Sequence, residues 1–171
     1  MWAADWGGRA PLLGPRSSSI CSRECAKDNW SQHKPVCRDR QAVKMGKDWA
    51  RAENRAVTFT YAALDNDTRR MQELIDGLEE AVTANKKLTK HSAAAVKAFV
   101  NFQDPREAGN AAFGSAQGGA LKAMRLLHER GADLDLGATQ QTATPSAIAA
   151  QFGRTAAIAL GVAVCLSLIH I

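Results

Sequence analysis

The segment Asn110–Asp135 reads Asn-Ala-Ala-Phe-Gly-Ser-Ala-Gln-Gly-Gly-Ala-Leu-Lys-Ala-Met-Arg-Leu-Leu-His-Glu-Arg-Gly-Ala-Asp-Leu-Asp. The segment Thr144–Leu160 reads Thr-Pro-Ser-Ala-Ile-Ala-Ala-Gln-Phe-Gly-Arg-Thr-Ala-Ala-Ile-Ala-Leu. When their first residues are aligned, Gly119 falls on Gly153, and the two segments repeat at an offset of 34 residues. Small alanines let paired helices approach closely, and each glycine can adopt a backbone conformation that is costly for other residues. The repeat therefore favours stacked short helices in this third of the chain.

Both segments resemble ankyrin repeats, whose sequence period is about 33 residues. The family pattern begins Thr-Pro-Leu-His-x-Ala-Ala, turns at a glycine and leaves its second helix through Leu-Leu-x-x-Gly-Ala-Asp. The matching residues here are Thr144-Pro145, Ala149-Ala150, Gly153, Leu126-Leu127 and Gly131-Ala132-Asp133. The departures are Ser146-Ala147 for Leu-His and the lack of Thr-Pro in the first segment. The resemblance implies strand-free antiparallel helix pairs, 111–118 with 121–129 and 145–151 with 155–161, stacked side by side.

A degenerate third copy is one interpretation of Phe59–Leu78. Its Tyr61-Ala62-Ala63 and Met71–Ile75 resemble the same pattern. It precedes the next copy by about 50 residues, which breaks the period. A plain helical hairpin is the competing interpretation of all these segments.

Three further helices are predicted between the first cysteines and the repeats. The segment Arg38–Ala56 has one apolar helical stripe, formed by Ala42, Met45, Trp49, Ala52 and Ala56. Thr68–Val82 has another, formed by Met71, Leu74, Ile75, Leu78 and Val82. Ser92–Phe102 is the third helix, ended by Asp104-Pro105. Val57–Tyr61 has strand-like composition but is short and runs directly into helix formers.

The N-terminal region contains a group of metal-binding residue types. Cys21, Cys25, His33 and Cys37 have the spacing C-x3-C-x7-H-x3-C. Within each pair the residues are four apart, so a helical turn presents both side chains on one face. Thiolate and imidazole groups in this arrangement suit a tetrahedral Zn²⁺ site. The alternative is a set of unrelated cysteines with a surface histidine.

This run resembles the second half of a MYND zinc finger. The residues in register with that family are Cys21, Ser22, Cys25, Trp30, His33, Lys34 and Cys37, whereas Ile20, Ala26 and Asn29 depart from it. The resemblance implies that Cys21 and Cys25 serve one zinc, that His33 and Cys37 serve a second, and that Trp30 belongs to a peptide-binding groove. Residues 1–20 contain none of the other cysteines of a complete finger. We therefore expect weak binding of at most one zinc by this chain.

Both ends of the sequence are interpreted as foreign to the natural protein. Residues 1–19 have no helical or strand periodicity and are rich in Gly, Pro and Ser. Residues 166–171 resemble a translated sequencing adaptor. The apolar stretch Ala156–Ile171 is shorter than the ~20 residues that span a bilayer, so no membrane contact is expected.

Composition and charge restrict the class of protein. The chain has 171 residues, 6% aromatic residues and a net charge of +5, with many of its basic residues between Arg9 and Arg55. That charge could meet nucleic-acid phosphates or acidic partners, although a solvated helical face is the favoured interpretation. Clustered cysteines with zinc spacing are typical of the reducing cytoplasm or nucleus. Phosphate-loop, His-Glu-x-x-His and calcium-loop signatures are missing, so we expect no enzyme activity.

The sequence thus predicts a mainly α protein in five parts. These are a non-native or disordered segment 1–19, a half finger 20–38, a helical linker 39–109, ankyrin-like repeats 110–165 and an adaptor-derived tail 166–171. The expected function is a zinc-binding adaptor that contacts proteins or peptides, including proline-containing ones. The alternatives are a nucleic-acid-associated regulator that uses the basic finger, and a fragment of a larger enzyme.

Overall fold

The computed structural model describes residues 30–104, 109–134, 136 and 143–157, with backbone alone for 30–33. Within these ranges the chain is mainly helical and contains no strand, which confirms the prediction of a mainly α fold. The α-helices are α1 Trp30–Arg51, α2 Arg55–Leu64, α3 Thr68–Ala84, α4 Ser92–Val100, α5 Ala111–Gly118, α6 Leu121–Glu129 and α7 Pro145–Gln151. Short 3₁₀ turns lie at Ala52–Asn54 and Thr89–His91. The predicted segments 1–19 and 166–171 lie outside the described residues.

The first apolar stripe is divided between two helices. α1 ends at Arg51, and Glu53 (φ 52°) and Asn54 (φ 55°) adopt left-handed backbone conformations before α2 begins. The predicted continuous helix to Ala56 is therefore wrong at its end. Ala52 is exposed, whereas Ala56 is buried as part of α2.

The strand-like segment Val57–Tyr61 is helical. It forms the middle of α2, where Phe59 and Ala63 are buried and Phe59 packs against Phe99 with ring centroids 4.8 Å apart. Intrinsic β preference is a weak bias that packing on a helical face can override.

The second and third predicted helices form as expected. In α3, the stripe residues Met71, Ile75, Leu78 and Val82 are fully buried and Leu74 is half-buried. Asp67 caps α3 by accepting a hydrogen bond from the backbone N–H of Arg70 at 3.0 Å. α4 ends at Val100, shortly before the predicted stop at Asp104-Pro105.

The helices pack as neighbouring pairs. α2 contacts α5 and α5 contacts α7, while α3 contacts α6, so the α2–α3, α5–α6 and α7 units follow one another. α1 packs chiefly on α4, and α4 also contacts α3. One apolar cluster spans α1 to α6, and a smaller one joins α5, α6 and α7 through Phe113, Ala116, Met124, Ile148, Ala149 and Ala157.

Two glycines allow the closest helix contacts. A Cβ atom at Gly46 of α1 would collide with the backbone carbonyl of Ala95 in α4, and one at Gly118 of α5 would collide with the carbonyl of Leu64 in α2. Glycine at a crossing point lets two backbones approach more closely than any other residue. The α1–α4 and α2–α5 crossings therefore depend on these two positions.

Candidate interaction surface and metal ligands

The sequence repeat corresponds to a repeated turn. At the end of α5, Gly119 (φ 68°) donates its N–H to the carbonyl of Ala116 at 3.2 Å, and the next residue donates to the carbonyl of Ser115 at 2.8 Å. At the end of α7, Gly153 (φ 65°) and the residue after it make the same two hydrogen bonds, at 3.1 and 2.7 Å, with acceptors 34 positions further along. This pair of bonds is the usual way to end a helix at a left-handed glycine.

The starts of α5 and α7 are also equivalent. Asn110 Oδ1 accepts the N–H of Phe113 at 3.0 Å, and Thr144 Oγ1 accepts the N–H of Ala147 at 3.3 Å. The two caps are 34 residues apart, like the glycines that end the helices. Asn and Thr both cap helices well, so the lack of Thr-Pro in the first segment does not prevent the same helix start.

The α2–α3 pair uses the same turn with a different residue. Asn66 (φ 59°) occupies the left-handed position, its N–H donates to Ala63 at 3.3 Å, and Asp67 donates to Ala62 at 2.8 Å. Asn66 precedes Gly119 by 53 residues, and α4 lies in the intervening segment. The additional helix explains why this unit falls outside the 34-residue period.

The predicted metal ligands are described in part. Cys21 and Cys25 lie outside the described residues, and Trp30 and His33 are placed by their backbone at the start of α1. Cys37 is half-buried in the same helix, and its Sγ accepts a hydrogen bond from Gln41 Nε2 at 3.8 Å. His33 and Cys37 are thus one helical turn apart, as the spacing predicts. Among the described residues no group of three potential ligands converges on one point.

A groove that the sequence did not indicate lies between α1, α4 and the segment after α6. Its volume is about 610 Å³. Its floor is apolar and is formed by Val43, Ala94, Ala98, Phe102 and Leu136, and its cationic rim is formed by Lys47, Arg51 and Lys97. We call this the α1–α4 groove. Its residues come from three distant parts of the chain, so no local sequence motif predicts it.

Asn101 joins two walls of the α1–α4 groove. Its Nδ2 donates to the carbonyls of Lys97 at 2.8 Å and Gly131 at 3.0 Å, and its Oδ1 accepts the N–H of Asp133 at 2.7 Å. Gly131 (φ 79°) ends α6 in a left-handed conformation. One amide side chain therefore fixes the exit of α6 against the end of α4.

A second, smaller depression of about 460 Å³ lies between α3 and α6. Arg69, Lys122 and Arg125 surround it, together with Glu129 and Gln72. Arg69 is already paired with Glu73 at 3.7 Å. This surface is basic and shallow.

The helices of the described ranges give no candidate for a membrane span, since none is both long and apolar enough. No family model, curated protein or solved structure matches the chain.

Proposed function

We propose that this chain is a non-catalytic, zinc-binding adaptor, with the second half of a MYND-type finger at residues 20–38 followed by ankyrin-like helix pairs. The observation that carries the proposal is the recurrence of one helix start and one helix end at an offset of 34 residues. Recurrent helix pairs of this kind are units of solenoid proteins, which expose extended surfaces for binding other proteins.

The packing of the helix pairs supports the ankyrin-like part. α2, α5 and α7 contact one another in order, and α3 contacts α6 in a second row. Residues in the left-handed conformation follow the ends of these three helices: Asn66 after α2, Gly119 after α5 and Gly153 after α7. The α2–α3 and α5–α6 pairs share one apolar cluster, and α7 joins a second, smaller cluster with α5 and α6. Stacked units of a solenoid bury their apolar faces against their neighbours in this way.

The helical placement of His33 and Cys37 supports the zinc-binding part. A separation of four residues on α1 puts the two positions on one face of the helix. Pro35 lies between them in that helix and is exposed. Residues two positions apart do not share a helix face, so Pro35 does not stand on the face of the two positions that would serve one metal ion.

Zinc content tests the metal-binding part. We expect the chain, purified with zinc and dialysed, to retain at most one weakly held Zn²⁺, because complete sites need more ligands than this sequence provides. The Cys37→Ser variant should lose that ion, whereas Cys165→Ser, which changes a cysteine outside the motif, should not. Two tightly held zinc ions per chain would contradict the half-finger proposal, and so would equal zinc retention by both variants.

Peptide binding tests the adaptor part. We propose that Trp30 contributes to a surface for proline-containing peptides. The Trp30→Ala variant should lose binding to a proline-rich peptide library, while the exposed Phe152→Ala variant should retain it. Equal binding by the two variants would argue against a peptide groove at Trp30.

Nucleic-acid association is the second candidate function. Arg69, Lys122 and Arg125 around the depression between α3 and α6 favour it. Binding to phosphates releases counterions, so affinity for an oligonucleotide should fall steeply with salt. Salt-independent or undetectable binding would remove this candidate.

A further inference from the structure

We infer that the α1–α4 groove binds an acidic segment of a partner protein, one that places an apolar side chain on the groove floor and carboxylates at the cationic rim. The site differs from the zinc motif and from the depression between α3 and α6. It requires neither zinc nor a peptide surface at Trp30. It deepens the proposed adaptor function, on which it rests, by specifying the chemical character of one partner segment.

The floor of the groove favours an apolar contact. Val43, Ala94, Ala98 and Phe102 are all half-buried rather than covered. Helical alanines at Ala94 and Ala98 are one turn apart and leave space above the α4 backbone. Burying a side chain of leucine size in such a site is the main favourable contribution expected at the centre of an interface.

The rim supplies charge complementarity. Lys47 and Lys97 are exposed, and no carboxylate of the described residues lies within ion-pair distance of either ammonium group. Arg51 lies over the ring of Phe102, 5.3 Å from its centroid, and contacts Asp48 at 3.4 Å. Asp133 also borders the groove but already has interactions within the chain. Carboxylates of a partner would therefore meet Lys47 and Lys97, which have no ionic partner in the part of the chain that the structure describes, and Arg51, which Asp48 and Phe102 hold in position.

The balance of apolar floor and cationic rim favours a protein segment over a nucleic acid. Non-specific single-strand binding combines a basic track with aromatic faces on which bases stack. In this groove Phe102 is the one described aromatic ring, and the Arg51 guanidinium already lies over it, 5.3 Å from the centroid, where a base would have to stack. A phosphate backbone would leave the alanine and valine floor unused.

The walls of the groove are fixed before a ligand binds. Gly46 brings α1 against the backbone of Ala95 in α4, and Asn101 holds the exit of α6 to the end of α4. A site that is already formed loses less conformational entropy when it binds.

A titration with a defined probe tests the inference. The probe is a short peptide of alternating Glu and Leu. It is titrated into the ¹⁵N-labelled full chain, and binding is monitored by the backbone amide chemical shifts of the protein. We expect shifts concentrated at Ala94, Ala98 and Phe102. The Lys47→Glu/Lys97→Glu variant should bind the peptide at least ~10-fold more weakly, because it replaces two attractions by repulsions. The Lys122→Glu/Arg125→Glu variant, with the same change in net charge, should stay within ~2-fold of the parent.

Further arms separate the alternative occupants. A Gln–Leu peptide should bind at least ~10-fold more weakly, and oligothymidylate should not displace the Glu–Leu peptide. Chelation of zinc should leave peptide binding unchanged, so failure of the zinc proposal and failure of this inference are distinguishable. If the Lys→Glu variant loses helical signal, Lys47→Gln/Lys97→Gln replaces it.

Several results would overturn the inference. These are shifts confined to α3 and α6, no shifts at all, equal weakening in the two double variants, equal binding of the Gln–Leu peptide, displacement by oligothymidylate, or loss of binding on chelation. Each of them contradicts one part of the inference: binding at the groove, charge complementarity, a protein partner, or independence from zinc.

Discussion

Asn66 caps a helix in the neighbouring helix pair. Its Oδ1 accepts the backbone N–H of Ala123, the third residue of α6, at 3.1 Å. The residue at the normal cap position, Ala120, provides no side-chain cap. Asn66 itself ends α2 in a left-handed conformation. One residue therefore terminates the first helix of one pair and satisfies a backbone donor at the start of the second helix of the next.

Substitutions at Asn66 separate these two roles. Asn66→Gly keeps the left-handed conformation but removes the cap, so the free energy of unfolding should fall by about 1 kcal/mol. Asn66→Ala loses both contributions and should fall by about 2 kcal/mol. Asn66→Asp keeps an acceptor and should stay within about 0.5 kcal/mol of the parent. Urea unfolding measures all three. Equal stability of the Gly variant and the parent would show that the cap contributes nothing.

Substitution by alanine should destabilise the protein at Gly46 but be nearly neutral at Gly77. A Cβ at Gly46 would collide with the backbone of Ala95, so Gly46→Ala should lower the free energy of unfolding by more than about 2 kcal/mol. At Gly77 the nearest atom is Cζ2 of Trp49 at 3.2 Å, and a side chain can move where a backbone cannot. The helix preference of alanine, about 1 kcal/mol, then offsets the tight contact.

Urea unfolding of the two glycine variants shows whether the close helix crossing or the helix preference of alanine determines the change in stability. Gly77→Ala should unfold within about 1 kcal/mol of the parent. If Gly46→Ala is as stable as Gly77→Ala, α1 and α4 are not in close backbone contact, and the walls of the α1–α4 groove are not fixed as described.

Local pattern predicted the helices well where one apolar stripe decides the structure. The stripe from Met71 to Val82 forms α3 at the predicted position. The helices 111–118, 121–129 and 145–151, which the resemblance to ankyrin repeats implied, also form where expected. The break at Glu53 could not be predicted, because no sequence signal marks a glutamate in the left-handed conformation. That conformation is unfavourable by about 1 kcal/mol, which only tertiary packing can offset. The strand-like composition of Val57–Tyr61, already weakened as a signal by its short length and the helix formers that follow, is overridden by burial of Phe59 on a helical face.

The candidate sites were less accessible to sequence reasoning than the helices. The α1–α4 groove joins Lys47, Lys97 and Leu136, which are far apart in the sequence. The bridging role of Asn101 has no local signal, because two of its partners, Gly131 and Asp133, follow α6. Asn66 stands in the polar run between α2 and α3, which predicts a turn but not a cap for α6. The zinc ligands Cys21, Cys25, His33 and Cys37 remain a prediction from spacing and resemblance.

Arg130 should contribute more to stability than the exposed arginines of the described helices. Its guanidinium donates to Glu79 at 3.3 Å and to Gln72 at 3.2 Å, and so joins the end of α6 to α3 in a half-buried position. Arg130→Met should lower the free energy of unfolding by about 1–2 kcal/mol, since two partners lose a charged donor. Lysine cannot donate in the same fork, so Arg130→Lys should recover only part of this.

The matched control for Arg130 is Arg70. Arg70 is exposed and pairs with Glu73 at 3.0 Å within one helix. Arg70→Met should change the free energy of unfolding by less than about 0.5 kcal/mol, as exposed pairs usually do. If the two variants are equally destabilised in urea, the contact between α3 and α6 does not depend on Arg130.

The exposed pair of Lys44 and Asp48 should affect titration more than stability. Lys44 Nζ donates to Asp48 Oδ2 at 2.8 Å, and this hydrogen bond lowers the pKa of Asp48 below its ordinary value of 3.8, against a small opposing effect of burial. A carboxyl group with a lowered pKa contributes stability above its unfolded pKa and loses it as the pH falls through its folded pKa. Lys44→Met should therefore cost less than about 0.5 kcal/mol at pH ~7, and nothing at a pH below the folded pKa of Asp48.

A carboxyl-detected NMR titration measures this effect directly at Asp48. In Lys44→Met the pKa of Asp48 should rise towards its ordinary value, because the largest cause of its shift is gone. Lys47→Met, which changes a lysine of the same helix that has no ionic partner among the described residues, should leave the titration of Asp48 where it is in the parent. If both variants move the pKa of Asp48 equally, general charge rather than the Lys44 hydrogen bond sets it. If neither moves it, the hydrogen bond does not persist in solution, and the pair contributes nothing to the pH dependence of unfolding.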